Sequence, residues 1–189
     1  MIKDALKKRI IPLVTVEHTA DVAEILDALE ADGYGCVEIT LRTDAGIGAI
    51  RDCADRKNLT VGAGTVLSVD QCSRAIDAGA RFIVSPGLSD AVAAVCSARR
   101  VPYYPGCVTP TEIMRALSFG ITTVKFFPCD IYGGMKALRT LGAPFPQIRF
   151  IPTGGIDNNN AEEYLAWDKI AAVGGSSFTA DAVKKWTKR

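Results

Sequence analysis

Thr123-Val124-Lys125-Phe126-Phe127-Pro128 is a short apolar run interrupted by a single cation. Its β-branched and aromatic residues read as a strand, and continuous apolar character is how a strand covered on both faces reads. Alternation sends Lys125 and Phe127 to one face and Val124 and Phe126 to the other. If the strand belongs to a closed ring, one of those faces is the interior. An ammonium group moved there loses hydration, which disfavours its charged form. The neutral amine is the form that attacks a carbonyl to make a Schiff base. The plain alternative is a strand-end lysine that carries its charge out to water on an apolar stem. Lys3, Lys7, Lys8, Lys57, Lys184, Lys185 and Lys188 stand in polar or helix-like stretches and read as solvated charges.

Outward from that strand, apolar runs and amphipathic runs take turns along the chain. Strands are expected at 10–16, 35–41, 60–65, 82–85, 103–106, 123–127, 149–153 and 170–174. Helices are expected at 20–31, 44–56, 68–78, 89–99, 109–119, 157–167 and 179–187, with a weaker one at 131–141 opened by Gly133 and Gly134. In the first of these, Val22, Ile25, Leu26 and Leu29 form one stripe that stops at Gly33. Repeated strand–helix units suit parallel strands with crossover helices, and eight in a row favour a closed (β/α)8 TIM barrel over an open sheet. The whole of 1–189 is read as one such α/β domain, short beside the roughly 250 residues usual for the architecture. Gly62-Ala63-Gly64-Thr65-Val66 is not a dinucleotide fingerprint, because Leu67 stands where the third glycine belongs.

Composition removes several function classes. A net charge of +1 offers no basic surface for nucleic acid and no acidic tail. The amino-terminal residues lack the apolar core of a signal peptide, and no apolar run approaches the ~20 residues of a membrane-spanning helix. The expectation is a soluble, cytoplasmic protein with no membrane or nucleic-acid partner. Cys36, Cys53, Cys72, Cys96, Cys107 and Cys129 form no C-x-x-C pair and read as free thiols used as small apolar residues. Cys107 and Cys129 follow strand ends, so either can border a site. His18 is the sole histidine and precedes a helix start at Thr19 and Asp21, which argues for decoration of a cap and against a His-rich metal site. A magnesium site built on carboxylates alone stays open on the residues; no cofactor is expected.

In a barrel, the carboxyl ends of the strands converge on one mouth, where such folds keep their chemistry. Those ends carry Glu38, Thr40, Arg42, Thr65, Ser85-Pro86-Gly87, Lys125, Phe127, Thr153-Gly154-Gly155 and Gly174-Gly175-Ser176. Glu38 is the second charge in an apolar strand, inward with Thr40 while Val37 and Ile39 lie under the helices. It is either a structural ion pair with Lys125 or Arg42, or a proton carrier. Arg42 either clamps a substrate carboxylate with its planar fork or pairs with Asp44 or Glu38. The glycines after the seventh and eighth strands let backbone N–H groups approach an anion, and barrels often hold phosphate there. Tight turns explain each glycine pair equally well taken alone.

Val37-Glu38-Ile39-Thr40-Leu41-Arg42-Thr43, Val61-Gly62-Ala63-Gly64-Thr65-Val66, Ser85-Pro86-Gly87, Val124-Lys125-Phe126-Phe127-Pro128 and Pro152-Thr153-Gly154-Gly155-Ile156 stand in the order found in one family. From about 10 to 176 the chain resembles the 2-keto-3-deoxy-6-phosphogluconate (KDPG) aldolases, many of which also cleave 4-hydroxy-2-oxoglutarate. The resemblance implies a metal-independent class I aldolase of the Entner–Doudoroff pathway, a homotrimer of compact (β/α)8 barrels without a cofactor. It makes Lys125 the Schiff-base lysine and Glu38 the proton-transfer carboxylate. Arg42 and Thr65 then hold the pyruvyl carboxylate, Pro86 and Phe127 line the pocket, and Gly154, Gly155, Gly175 and Ser176 form the phosphate site. Two departures stand out: Ser177 occupies a position where many members carry tryptophan, and the chain stops at Arg189, before a longer terminal helix common in the family. Two rivals make no adduct: an isomerase using Glu38 as base and Lys125 as electrostatic clamp, and a non-catalytic barrel that binds a sugar-acid phosphate.

Overall fold

The computed structural model describes residues 8–179, so the helix expected at 179–187 falls outside the described residues apart from its first position. Eight strands are described: β1 Ile10–Val14, β2 Cys36–Thr40, β3 Thr60–Gly64, β4 Ile83–Val84, β5 Tyr103–Tyr104, β6 Thr123–Phe126, β7 Arg149–Pro152 and β8 Val173–Gly175. Between them lie α1 Val22–Ala31, α2 Ala45–Cys53, α3 Val69–Asp77, α4 Asp90–Arg99, α5 Pro110–Ser118, α6 Gly134–Gly142 and α7 Ala161–Leu165. Short 3-10 turns at Thr19–Asp21 and Ser177–Thr179 flank the set.

All pairings are parallel. One sheet runs β5-β4-β3-β2-β1-β8 and curls into a half-barrel, and β6 pairs with β7 in a second. Single parallel bridges join Gly106 to Lys125, Phe150 to Ile170 and Thr153 to Gly174 across the two seams. Val124 and Phe126 pack outward with Ile113 of α5 and Leu138 of α6, while Ile11, Cys36, Phe82, Val84, Ile151 and Ala172 form a separate inner cluster. Each fully buried phenylalanine here contributes about 1.5–3 kcal/mol.

Several elements are shorter than expected, for local reasons. β4 and β5 hold two residues each because Pro86 and Pro105 lack the N–H groups that would extend the ladder. The stretch expected as the eighth strand is divided between two neighbours. Ala171 donates to the Phe150 carbonyl of β7 at 2.8 Å, whereas 173–175 pairs with β1. The helix expected from 157 begins at Ala161, since the preceding side chains bond their own backbone: Asp157 accepts from Asn159 N–H at 2.8 Å, and Asn160 accepts from Asp157 N–H at 3.0 Å. At the first helix, neither His18 nor Asp21 supplies a side-chain cap. Ser68 does cap α3, accepting from Gln71 N–H at 3.1 Å.

Candidate active site

β2 and β6 are not sheet neighbours, yet their charged residues meet. Lys125 Nζ lies 3.6 Å from Glu38 Oε1, across the space the strands curve around. Lys125 is 5% exposed and Glu38 3%. The strand fixes the lysine from both sides: its N–H donates to Pro105 O at 2.8 Å, its carbonyl accepts from Cys107 N–H at 2.9 Å, and it stands in register with Ile151 of β7. The Phe127 ring centroid is 5.3 Å from Nζ, close enough to favour a cation over its face.

The ion pair is not a hydrogen bond. At 3.6 Å it exceeds N–H···O range, and Glu38 Oε1 has no hydrogen-bond partner although it is buried. Leaving a buried acceptor unsatisfied costs about 1–3 kcal/mol, more when it is charged. A purely structural pair would close that gap. A reacting pair keeps room between its members for a substrate atom. The room beside Glu38 comes from Gly64: a Cβ there would lie 2.0 Å from Oε1 and 2.4 Å from Cγ.

Arg42 follows β2 and is exposed, with its Nε donating to Thr65 Oγ1 at 3.3 Å. It pairs with neither Asp44 nor Glu38, so among the described residues its fork has no carboxylate partner. Thr65 has φ +56°, a left-handed conformation that a β-branched residue adopts at a cost of about 1–3 kcal/mol. That twist turns the chain out of β3 and sets the Thr65 hydroxyl against the guanidinium. Next to this pair, Thr15 and Thr40 share a 2.7 Å hydroxyl contact. Thr15 was not singled out in the sequence; it directly follows β1, beside β2.

Pro86 is exposed at the end of β4, and its carbonyl rests on Gly106, the residue that bridges to Lys125. Gly154 and Gly155 take φ +96° and +69°, which a side-chain-bearing residue rarely adopts. Gly174 lies against Thr153, and Gly175 against Phe178 and the Ile156 carbonyl. Ser176 is exposed, and its carbonyl accepts from Thr179 N–H and Oγ1 at 3.2 and 2.6 Å. Ser177 Oγ donates to Ile156 O at 2.8 Å, tying the two glycine loops together. No hydrogen bond or ion pair among the described residues joins these loops to Lys125.

Cys107 and Cys129 border the candidate site through their backbones, Cys107 N–H donating to Lys125 O at 2.9 Å and Cys129 N–H to Thr153 O at 2.8 Å, while their thiols are bonded elsewhere. Burial pushes both thiols up, to about 12 and about 11, and their Sγ atoms bond Glu112 O and the Tyr164 hydroxyl. Neither is poised to ionise. Among the described residues, no group of three or more His, Cys, Asp or Glu side chains forms a metal site.

A family model described as KDPG and KHG aldolase matches residues 2–188. A 2-dehydro-3-deoxy-phosphogluconate aldolase of Treponema pallidum is 46% identical over 178 residues, covering 92% of this chain and 83% of that protein. The KHG/KDPG aldolase of Escherichia coli strain K12 is 38% identical over 177 residues, 93% of this chain and 83% of its own. Among solved structures, a KDPG aldolase from Legionella pneumophila with pyruvate captured as a covalent carbinolamine superposes with a TM-score of 0.87. It shares 35% identity, covering 95% of this chain and 88% of that one.

Proposed function

Taking as premise that the chain belongs to the KDPG and KHG aldolase family, we propose that Lys125 is its Schiff-base nucleophile and Glu38 its proton carrier. The chain is a carbon–carbon lyase that cleaves 2-keto-3-deoxy-6-phosphogluconate to pyruvate and glyceraldehyde 3-phosphate through a lysine Schiff base. The assignment of Lys125 and Glu38 is carried by one observation: an amine and an unsatisfied carboxylate oxygen, both buried, 3.6 Å apart.

Attack on C2 of the 2-keto acid requires the Lys125 side chain as its deprotonated amine, and the addition gives a carbinolamine. Loss of its oxygen as water leaves an iminium ion. Glu38, through one water, takes the C4 hydroxyl proton; the freed electrons form the aldehyde C=O as the C3–C4 bond breaks. The electron pair of that bond moves into the iminium, which becomes an enamine. Glu38 then gives that hydroxyl proton to C3 of the enamine, which restores the iminium, and hydrolysis by water returns pyruvate and the Lys125 amine. Arg42 and Thr65 hold the carboxylate so that the iminium lies in the plane that C3–C4 cleavage requires. Pro86 and Phe127 line the pocket.

Gly154, Gly155, Gly175 and Ser176 are read as the phosphate grip. Their support is the left-handed turn at 154–155 and the Ser177–Ile156 tie between the two loops. Exchanging Ser176 for Asp then harms the phosphorylated substrate far more than 4-hydroxy-2-oxoglutarate, which would give pyruvate and glyoxylate. Equal loss on both removes the phosphate assignment. The eight strands are read as one closed barrel, supported by the bridges across both seams. A cytoplasmic homotrimer completes the reading. No described helix is long and apolar enough to cross a membrane, and exposed Leu67, Met114 and Ile131 supply apolar surface for subunit contact. Sedimentation equilibrium at a mass other than three subunits refutes the trimer.

Incubation with pyruvate and borohydride tests the central assignment. The expected result is a reduced adduct on Lys125, located by peptide mapping. An unlabelled Lys125 in folded, pyruvate-saturated protein overturns it.

A further inference from the structure

At the opposite end of the strands from Arg42, three cations gather around the loop entering β8. Arg9, just before β1, donates from Nε to Ala171 O at 3.3 Å, from Nη1 to Leu165 O at 3.1 Å, and from Nη2 to Ile170 O. Arg149 opens β7 and donates from Nη2 to the same Ile170 carbonyl at 3.2 Å. Lys169 Nζ donates to Gly142 O and Phe145 O at 2.6 and 2.9 Å. None of the three has a carboxylate partner among the described residues. Asp168, the acid within the loop, is exposed and bonds none of them. Four other arginines, Arg56, Arg74, Arg99 and Arg115, each pair with a carboxylate.

One guanidinium would satisfy the Ile170 carbonyl. The second adds like-charge repulsion across a shared acceptor and leaves the Nε and Nη1 donors of Arg149 without a protein partner among the described residues. Arg9 is held in this place by a left-handed backbone, φ +54°, unusual for a long side chain. Burial and the Arg149 charge push its guanidinium below the ordinary arginine value. Two half-buried forks converging on one point, with no carboxylate on either among the described residues, are what a dianion with several acceptor oxygens fits.

We propose that this amino-terminal face binds a phosphate dianion, free or as the end of a small monoester, between Arg9 and Arg149. The site is separate from the glycine loops and does not depend on their assignment.

Thermal unfolding in inorganic phosphate against chloride at constant ionic strength tests it, in a Ser176→Asp background that disables the loops, with and without Arg149→Gln. Arg149 is the position to vary because it holds one carbonyl where Arg9 holds three. Phosphate is expected to raise the Tm of the Ser176→Asp protein saturably, and Arg149→Gln to weaken the apparent affinity about tenfold or more. The same series with glycerol 3-phosphate separates the sources: tighter binding of the ester assigns a monoester, weaker binding the free anion. Should Arg149→Gln not fold, Arg149→Lys, which keeps the charge and loses the fork, is read by the same criterion. No saturable shift, or one that the Arg149 variant leaves unchanged, overturns the proposal.

Discussion

Glu38→Gln keeps the side-chain shape and removes the charge beside Lys125. As proton carrier, Glu38 governs bond cleavage more than adduct formation. Its amide variant should lose about 100-fold or more in KDPG cleavage per folded molecule, while borohydride still traps pyruvate on Lys125. A structural ion pair gives the reverse: removing one partner costs about 3–5 kcal/mol of stability, and the folded fraction turns over normally. Cleavage and trapping measured on the same sample separate the two. Gly64→Ala tests the same pair from the other side, since a Cβ at 2.0 Å from Oε1 must displace the carboxylate. Cleavage should fall in Gly64→Ala as it does in Glu38→Gln; full activity would mean that Glu38 needs no fixed position. Lys125 and Glu38 were legible in the sequence because each is a charge in an otherwise apolar strand. Gly64 was not, because its role is a distance between a backbone on β3 and a side chain on β2.

Helix starts are a local property, and that of α5, expected from 109 and observed from Pro110, was legible for that reason. Thr109 opens α5 with a reciprocal capping box. Its hydroxyl accepts from Glu112 N–H at 3.3 Å, and the Glu112 carboxylate accepts from Val108 and Thr109 N–H at 2.8 and 2.9 Å. Pro110 at the first helical position completes it. Thr109→Ala should lower unfolding free energy by about 1 kcal/mol, read from denaturant midpoints, with trapping on Lys125 unchanged. A stability equal to wild type would assign the helix start to packing alone. Strand ends were less legible, because they depend on neighbours far along the chain. The stretch 170–174 has the composition of one strand, but 170–171 bonds β7 and 173–175 pairs with β1. That division follows from where β7 and β1 lie, which composition does not record. Thr65 belongs to the same class: its left-handed φ is imposed by the exit from β3, not by its residue type.

At the scale of the molecule, the six cysteines link the packing to pH. All six are free and buried, and none belongs to the pair proposed as catalytic, Lys125 and Glu38. Burial holds Cys36 and Cys107 up to about 12 and Cys129 to about 11, with Cys53, Cys72 and Cys96 raised in the same direction. In the unfolded chain a thiol ionises near about 8.5. A folded value above the unfolded one means that both states carry the proton at neutral pH, so the stability these groups contribute is fully present there. As pH rises past about 8.5, the unfolded chain releases protons that the fold retains, and stability falls until the folded values near 11–12 are reached. Denaturant midpoints should therefore decline between pH 8 and about 10.5, and Cys→Ala replacements at 36, 107 and 129 should flatten that slope. A disulfide reagent at pH 8 should label no thiol in the native protein and all six once guanidinium unfolds it. A thiol that reacts at once in the folded state would contradict the buried assignment. A slope unchanged in the triple variant would move the alkaline loss to the tyrosines, of which Tyr104, raised to about 12 by its burial, is the first to examine.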